Sequence, residues 1–407
     1  MRVEFECLLQ KNGHNWAMRT KVEEIEDVAR LIRDERPANP VYCIYPHVYR
    51  EIAREFLEGF PGRALYAVKA NPDPTVLRLL YESGVRDFDC ASLPEIELVD
   101  SLFDDARKYF MTPVRIRGAA TAAQDKHGVR HFVVDHLHGL SQLLAEIDVS
   151  DTVVFARMAV HHESAFEDLS ARFGAPPEKM PELLQAIRDS GAEPALAFNV
   201  GSSVTDPDAY RYAASLTESV LDQLPFRLRL LDVGGGYPKS YPGFIVPGLG
   251  HYFKAVAESA ESLPLEEGAE ILGEPGRALS APGLSAVVEV LLRKDDHLFL
   301  NDGMFGIFWL LRIDGPNSFP VRAYRDGEPL AAETMDFKVS GPTCDSTDTL
   351  PGLVPLPLDI REGDYLEFGN IGAYSIGGRT DYNGFYSDRI VSVSSPDARP
   401  PLIESTP

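Results

Sequence analysis

The chain has 407 residues, and 39 Lys and Arg against 62 Asp and Glu leave a formal net charge of −23. An acidic excess of this size repels a phosphate backbone, which argues against nucleic-acid recognition by the bulk surface and is compatible with a small cationic substrate. Hydrophobic residues at 44% and charged residues at 25% are ordinary for a globular chain, and the length suits a large core divided between two domains.

The opening MRVEFECLLQKNGHNW lacks the basic segment, long apolar run and cleavage site of a secretory signal and reads as mature protein. Charges, Gly or Pro interrupt every apolar stretch short of the roughly 20 residues that span a bilayer, so a soluble protein with no membrane partner is expected. Cys7, Cys43, Cys90 and Cys344 lack paired spacing, which argues against a disulfide framework or a zinc knuckle and for a reducing cytoplasm.

A first strand is predicted over Arg2 to Gln10. From about residue 40 to 280, short β-rich apolar runs then alternate with segments of helical period. The predicted strands are Ala64 to Ala70, Arg86 to Ser92, Lys108 to Val114, His131 to His136, Thr152 to Val160, Pro194 to Ser202, Arg227 to Gly235 and Glu270 to Ala278. That count favours an α/β fold with a (β/α)8 barrel over 40–280, although an open doubly wound sheet gives similar alternation. After residue 281, β-branched and aromatic runs separated by Asp-Gly, Gly-Pro and Pro-rich turns predict a mostly antiparallel β domain. Residues 1–39 and 281–407 are expected to form that domain together, with the barrel inserted between them. The stretch His161 to Gly191 is long for a βα connection and is a candidate lid or subunit contact, and the tail from Ser394 is expected to fray. His161, His162 and Glu163 stand in sequence, but an exposed loop explains them better than a metal site, and no metal is expected.

Lys69, in Ala67-Val68-Lys69-Ala70-Asn71, sits at the end of a strongly apolar strand. An ammonium there is paired, neutral or covalently used; taken alone it reads as a strand-end lysine reaching solvent, and the functional reading is a Schiff-base lysine whose lowered pKa makes it nucleophilic. Gly234-Gly235-Gly236 follows the apolar run Leu228 to Val233, and Gly273-Glu274-Pro275-Gly276-Arg277 follows Ile271-Leu272, at the ends of the seventh and eighth predicted strands, where barrels commonly bind phosphate. A triple glycine alone is more often a tight turn, and there is no phosphate-loop or dinucleotide motif. A lysine early in the barrel and a phosphate cradle late in it fit pyridoxal 5′-phosphate, one group for its aldehyde and one for its phosphate.

With these residues in place, the chain resembles the barrel-type (fold-type III) pyridoxal-phosphate decarboxylases that include ornithine, lysine and diaminopimelate decarboxylases. The matching motifs are YAVKAN at Tyr66, FDCAS at Phe88, VGSS at Val200, LDVGGGYP at Leu231, GEPGR at Gly273, NDG at Asn301, GPTCDSTD at Gly341 and GAYS at Gly372, in family order. The resemblance implies an alanine-racemase-like barrel in which Lys69 carries the cofactor while Ser202, Gly235, Gly236, Arg277 and Tyr374 hold its phosphate. By the same resemblance Glu274 faces the pyridine nitrogen, Asp89 lies near Lys69, and Arg157 lies near the cofactor. An acid beside the ring nitrogen favours its protonated form and a stronger electron sink, which suits decarboxylation.

The resemblance also implies a homodimer with shared sites, in which Cys344 of one subunit protonates the substrate carbon in the other's site. Asp345 and Asp314 would bind a distal ammonium, selecting L-ornithine first and L-lysine second. Asn199 departs from the family, which usually has a ring-stacking histidine there. A diaminopimelate or carboxylated-polyamine decarboxylase, with Arg312 or Arg379 meeting a distal acid, and a catalytically inactive regulatory relative are the alternatives.

Overall fold

The computed structural model describes residues 22–312 and 318–406. The candidate strand Arg2 to Gln10, Cys7 and Asp314 lie outside the described residues.

Eight parallel strands close into a barrel in the order β10-β3-β4-β5-β6-β7-β8-β9. They are β3 (Arg63–Ala67), β4 (Asp87–Cys90), β5 (Arg107–Phe110), β6 (His131–Val134), β7 (Val153–Met158), β8 (Glu193–Phe198), β9 (Leu230–Asp232) and β10 (Glu270–Gly273). Each expected barrel strand is present, but each stops short of its expected C-terminal end. After β3, for example, Val68–Ala70 coils into a 3₁₀ turn, so Lys69 lies beyond the last paired residue. The residues beyond the strand ends form turns and helix starts instead of extending the ladder, as where Ser92 caps the helix Leu93–Leu102.

The crossover helices form where apolar spacing and caps agree. Pro74–Glu82 begins with Pro at its first turn and Asp73 as N-cap, whose Oδ1 accepts from Thr75 N at 2.8 Å. Leu93–Leu102 starts on Ser92, whose Oγ accepts from Glu95 N, while the Glu95 carboxylate reaches back to Ala91 N at 2.6 Å.

The second unit is a mixed sheet ordered β1-β18-β2-β11-β12-β15-β16, with β17 and β13 continuing from β11. Its strands are β1 (Glu23–Ile25), β2 (Val41–Ile44), β11 (Leu284–Lys294), β12 (His297–Leu300), β13 (Val321–Arg325), β14 (Glu328–Pro329), β15 (Thr334–Ser340), β16 (Val354–Pro357), β17 (Tyr365–Phe368) and β18 (Ile390–Val393). Most pairings are antiparallel, the parallel ones being β1 with β18, β18 with β2, and β12 with β15. Val41–Ile44, inside the 40–280 stretch, pairs with β11 and β18 in this sheet and not in the barrel. The chain thus leaves the sheet after β2, builds the barrel and returns at β11. The tail does not fray: Thr406 donates its N–H to Val246 O at 3.0 Å and accepts from Gly248 N at 2.9 Å, because these backbone groups pair with each other.

At the N-terminal end of the barrel, Asp87 is a buried carboxylate held by Arg107 (2.6 and 2.8 Å) and Tyr109 Oη (3.1 Å), with Arg63 at 3.5 Å. Removing it leaves Arg63 to Glu270, 2.7 Å away, and leaves Arg107, half-exposed, to solvent. Asp87→Ala is therefore expected to lower the unfolding free energy by about 1 to 2 kcal/mol, for the lost bonds to a charged group, read as a shift of the urea or thermal midpoint. An unchanged midpoint would show that water already serves these cations.

Candidate active site

Strand alternation decides what faces the barrel interior. Leu65, Phe155, Ala195, Ala197, Leu230 and Leu272 point inward and pack with Tyr109, Val133 and Val153 into the barrel's own core. The same parity places Arg157 and Asp232 above that layer and Asp89 two residues beyond Asp87, while Lys69, Asn199 and Glu274 line the cleft just beyond the ends of β3, β8 and β10. Their neighbours Tyr66, Phe88, Ala156, Phe198, Leu231 and Ile271 point outward into the core beneath the helices.

Lys69 Nζ donates a hydrogen bond to Asp89 Oδ2; the lysine side chain keeps 44% of its surface open to the cleft, whereas that of Asp89 keeps 1%. Burial works to lower the Lys69 pKa, but the nearby Asp89 and Glu274 carboxylates outweigh it and hold the ammonium above the ordinary lysine value. This corrects the expected lowered pKa: an amine beside two acids is kept charged. Glu274 is pushed well above the carboxylate range by burial and then by Asp232 and Asp89, with Lys69 and Arg157 pulling it back. Burial lifts Asp232 to about 7 despite its bond from Gly234 N at 2.8 Å, and its Oδ2 is buried without a hydrogen-bond partner. Asp89 Oδ1 is likewise unpartnered. A cationic ring nitrogen arriving beside Glu274 would relieve the repulsion that raises its pKa.

The opposite end of the cleft suits an anion. Arg277 is buried at 3% exposure, with Nη2 3.4 Å from Ser202 Oγ, Nη1 3.3 Å from Tyr241 Oη and its guanidinium 5.3 Å from the Tyr374 ring centre. Gly236 has φ +108°, and a Cβ there would come within 3.0 Å of Gly201 O, so only glycine lets the backbone pass this close. Tyr374 enters from the β domain at φ +59°, anchored by its N–H to Ala70 O at 2.6 Å. Asn199 turns its side chain onto the backbone, Oδ1 accepting from Gly201 N at 2.9 Å.

Lys69, Asn199, Ser202, Gly235, Gly236, Glu274, Arg277 and Tyr374 therefore line one cleft of about 440 Å³, together with Leu169, Ser203 and Tyr237. Asp89 joins it through Lys69, and Arg157 acts on Glu274 and Asp232 through its charge while its guanidinium lies 5.5 Å from the Phe173 ring. Cys344 and Asp345 are not among the cleft-lining residues of their own chain. They occupy a loop of the sheet domain, where Cys344 Sγ is 3.3 Å from Asn383 Oδ1 and Asp345 Oδ1 accepts from Thr347 N at 2.8 Å. His161 and His162 direct Nδ1 to Asp168 and Ser164. The sequence reading missed Asp232, Ser203 and Leu169; a lone Asp in the apolar run of β9 was the available signal for the first.

One amine open to the cleft, an anion cradle built on Arg277 and the glycine loop, and an acid pair between them fit the aldehyde, phosphate and ring nitrogen of pyridoxal 5′-phosphate. Fold and cleft together define a barrel enzyme that uses this cofactor. Residues 47–281 match the family model described as the pyridoxal binding domain of pyridoxal-dependent decarboxylases, and residues 194–372 match the C-terminal sheet domain of the same enzymes. The chain belongs to this family and is a pyridoxal-phosphate-dependent amino-acid decarboxylase.

Among its relatives, decarboxylase flvG of Aspergillus flavus is 31% identical over 88% of this chain and 86% of its own, and antizyme inhibitor 2 of Xenopus laevis is 30% identical over 81% and 75%. The crystal structure of lysine/ornithine decarboxylase from Vibrio vulnificus complexed with putrescine superposes with a TM-score of 0.77 at 27% identity, covering 89% of this chain and 96% of that one.

The Asp232 carboxyl gives a pH test. Its folded pKa, near 7 against an ordinary 3.8, means that its contribution to stability is fully present below the ordinary value and is lost as pH rises through the folded one. In the cofactor-free protein, the thermal midpoint of Asp232→Asn should match wild type near pH 4 and exceed it near about pH 8. A difference that does not grow with pH would show that Asp232 ionises freely.

Proposed function

We propose that the chain decarboxylates a basic amino acid, L-ornithine first and L-lysine second, to a diamine and CO₂. The observation that carries this reading is the acidic character of the candidate recognition loop, where Asp345 stands next to Cys344, set against the structural use of Arg379. That guanidinium donates Nε to Ile376 O (3.2 Å) and Nη1 to Ser387 O (2.5 Å), and lies between the Tyr42 and Tyr386 rings at 4.6 and 5.0 Å from their centres. It is buried inside the sheet domain, a poor partner for the distal acid that diaminopimelate or a carboxylated polyamine carries. The putrescine-bound relative supports a diamine product.

Lys69 Nζ would hold the cofactor aldehyde, with Asp89 Oδ2 as the acceptor for its proton. Ser202, Gly235, Gly236, Arg277 and Tyr374 would hold the phosphate, and Glu274 would face the ring nitrogen, with Arg157 balancing the acid pair. Pyridoxal 5′-phosphate supplies the sink for the electron pair left when CO₂ departs. Cys344 Sγ would deliver the proton that replaces the carboxylate. Asp345, with Asp314 as second acid, would meet the distal ammonium, since an ammonium left unpaired there loses several kcal/mol. Because Cys344 and Asp345 belong to the sheet domain and not to the cleft lining, this reading requires a second copy of the chain to bring them in. Asn199, folded onto Gly201, would leave the ring face without an aromatic partner. The free Cys43 and Cys90, both buried, fit a cytoplasmic setting.

Assayed for CO₂ release against ornithine, lysine, arginine and diaminopimelate, the enzyme should favour ornithine; turnover of diaminopimelate alone would refute the roles given to Asp345 and Asp314. Cys344→Ala should lose about a hundredfold in diamine formation, the scale of a positioned general acid. Lys69→Ala should be inactive, and mixing the two variants should restore measurable activity if sites are shared between copies.

A further inference from the structure

Ser203 combines three features that a merely structural serine does not need. Its backbone is left-handed, φ +49°, a conformation usually left to glycine. The turn is clamped there from both sides: Ser202 N donates to Glu167 O at 3.0 Å, and Val204 N donates to Gly236 O at 3.0 Å. The residue is 3% exposed, and its Oγ is buried without a hydrogen-bond partner. A buried, unsatisfied hydroxyl is unfavourable, and glycine at this position would remove both that penalty and the backbone strain.

An acceptor entering the cleft would satisfy the hydroxyl. Ser203 lines that cleft beside Ser202, Gly235, Gly236 and Arg277. A guanidinium, hydroxyls and a close-approaching glycine backbone converge on an anion with several oxygens. We infer that Ser203 Oγ–H donates to a phosphate oxygen of pyridoxal 5′-phosphate, so that the strained serine is a cofactor-binding residue. This inference concerns the phosphate end of the cleft and stands whichever amino acid is the substrate.

Equilibrium dialysis of the full chain against pyridoxal 5′-phosphate and, separately, against pyridoxal tests it, because only the first carries the phosphate. Ser203→Ala keeps the Cβ and the left-handed backbone but loses Oγ; Ser203→Gly loses Oγ and relaxes the backbone, and so remains informative if the alanine variant does not fold. Both are expected to weaken pyridoxal 5′-phosphate binding about tenfold, the scale of one hydrogen bond to a charged group, and to leave pyridoxal binding unchanged. Unaltered pyridoxal 5′-phosphate binding, an equal loss for both ligands, or a loss in the alanine variant with none in the glycine variant would each overturn the assignment.

Discussion

Asp89, Asp232 and Glu274 are brought together at the mouth of the barrel, and Lys69 and Arg157 are set against them. Buried carboxyls this close cannot all ionise, because each charge raises the energy of the next in a poorly solvated space. The result is an imbalance: Asp89 is ion-paired with Lys69, while burial and mutual repulsion raise both Asp232 and Glu274 above the ordinary carboxylate range. Such a site is incomplete electrostatically until a further positive charge arrives. The cofactor used by this family can supply one at its ring nitrogen, and Glu274 lies within the electrostatic reach of Lys69, which would hold the other end of the ring.

The end of the cleft proposed to hold the phosphate works by the opposite means. Arg277 buries a permanent cation, the glycine loop after β9 brings backbone close, and Ser202 and Ser203 bring hydroxyls. The sheet domain closes this end within the same chain. Asn71 Nδ2 donates to Gly372 O at 2.9 Å, and Tyr374 is pinned to Ala70 two residues later. A Cβ at Gly372 would come within 2.0 Å of Ser280 O, so the strap can lie this close only as glycine. The stretch carrying Lys69 and the strap carrying Tyr374 are thus one hydrogen-bonded assembly.

The architecture follows from a chain that starts one sheet, leaves it, and returns. Two short strands, β1 and β2, precede the barrel in the chain, and β11, which pairs with β2, follows the last barrel strand. The Asp87 cluster at the barrel floor and the acid pair at its mouth come from the same inward faces, separated by the apolar layer. The packed layer isolates the two sets of charges from each other.

The barrel strands and helices were legible in the sequence because each depends on local period, on apolar residues two apart or three to four apart, and on caps such as Asp73 and Ser92. The motifs around Lys69, Gly235, Glu274 and Arg277 were legible for a related reason, since short contiguous residue types carry them. Tertiary structure alone decided the ends of the strands, because whether Val68 or Gly234 continues a ladder depends on the partner strand and not on its own apolarity. It also decided the charge state of Lys69, since Asp89 lies 20 residues away in the chain and Glu274 farther still. Asp232 and Ser203 gained their character the same way: one from burial beside Glu274, the other from a turn clamped between Glu167 and Gly236. Periodicity is a property of neighbours along the chain, whereas burial and counter-charge are properties of neighbours in space.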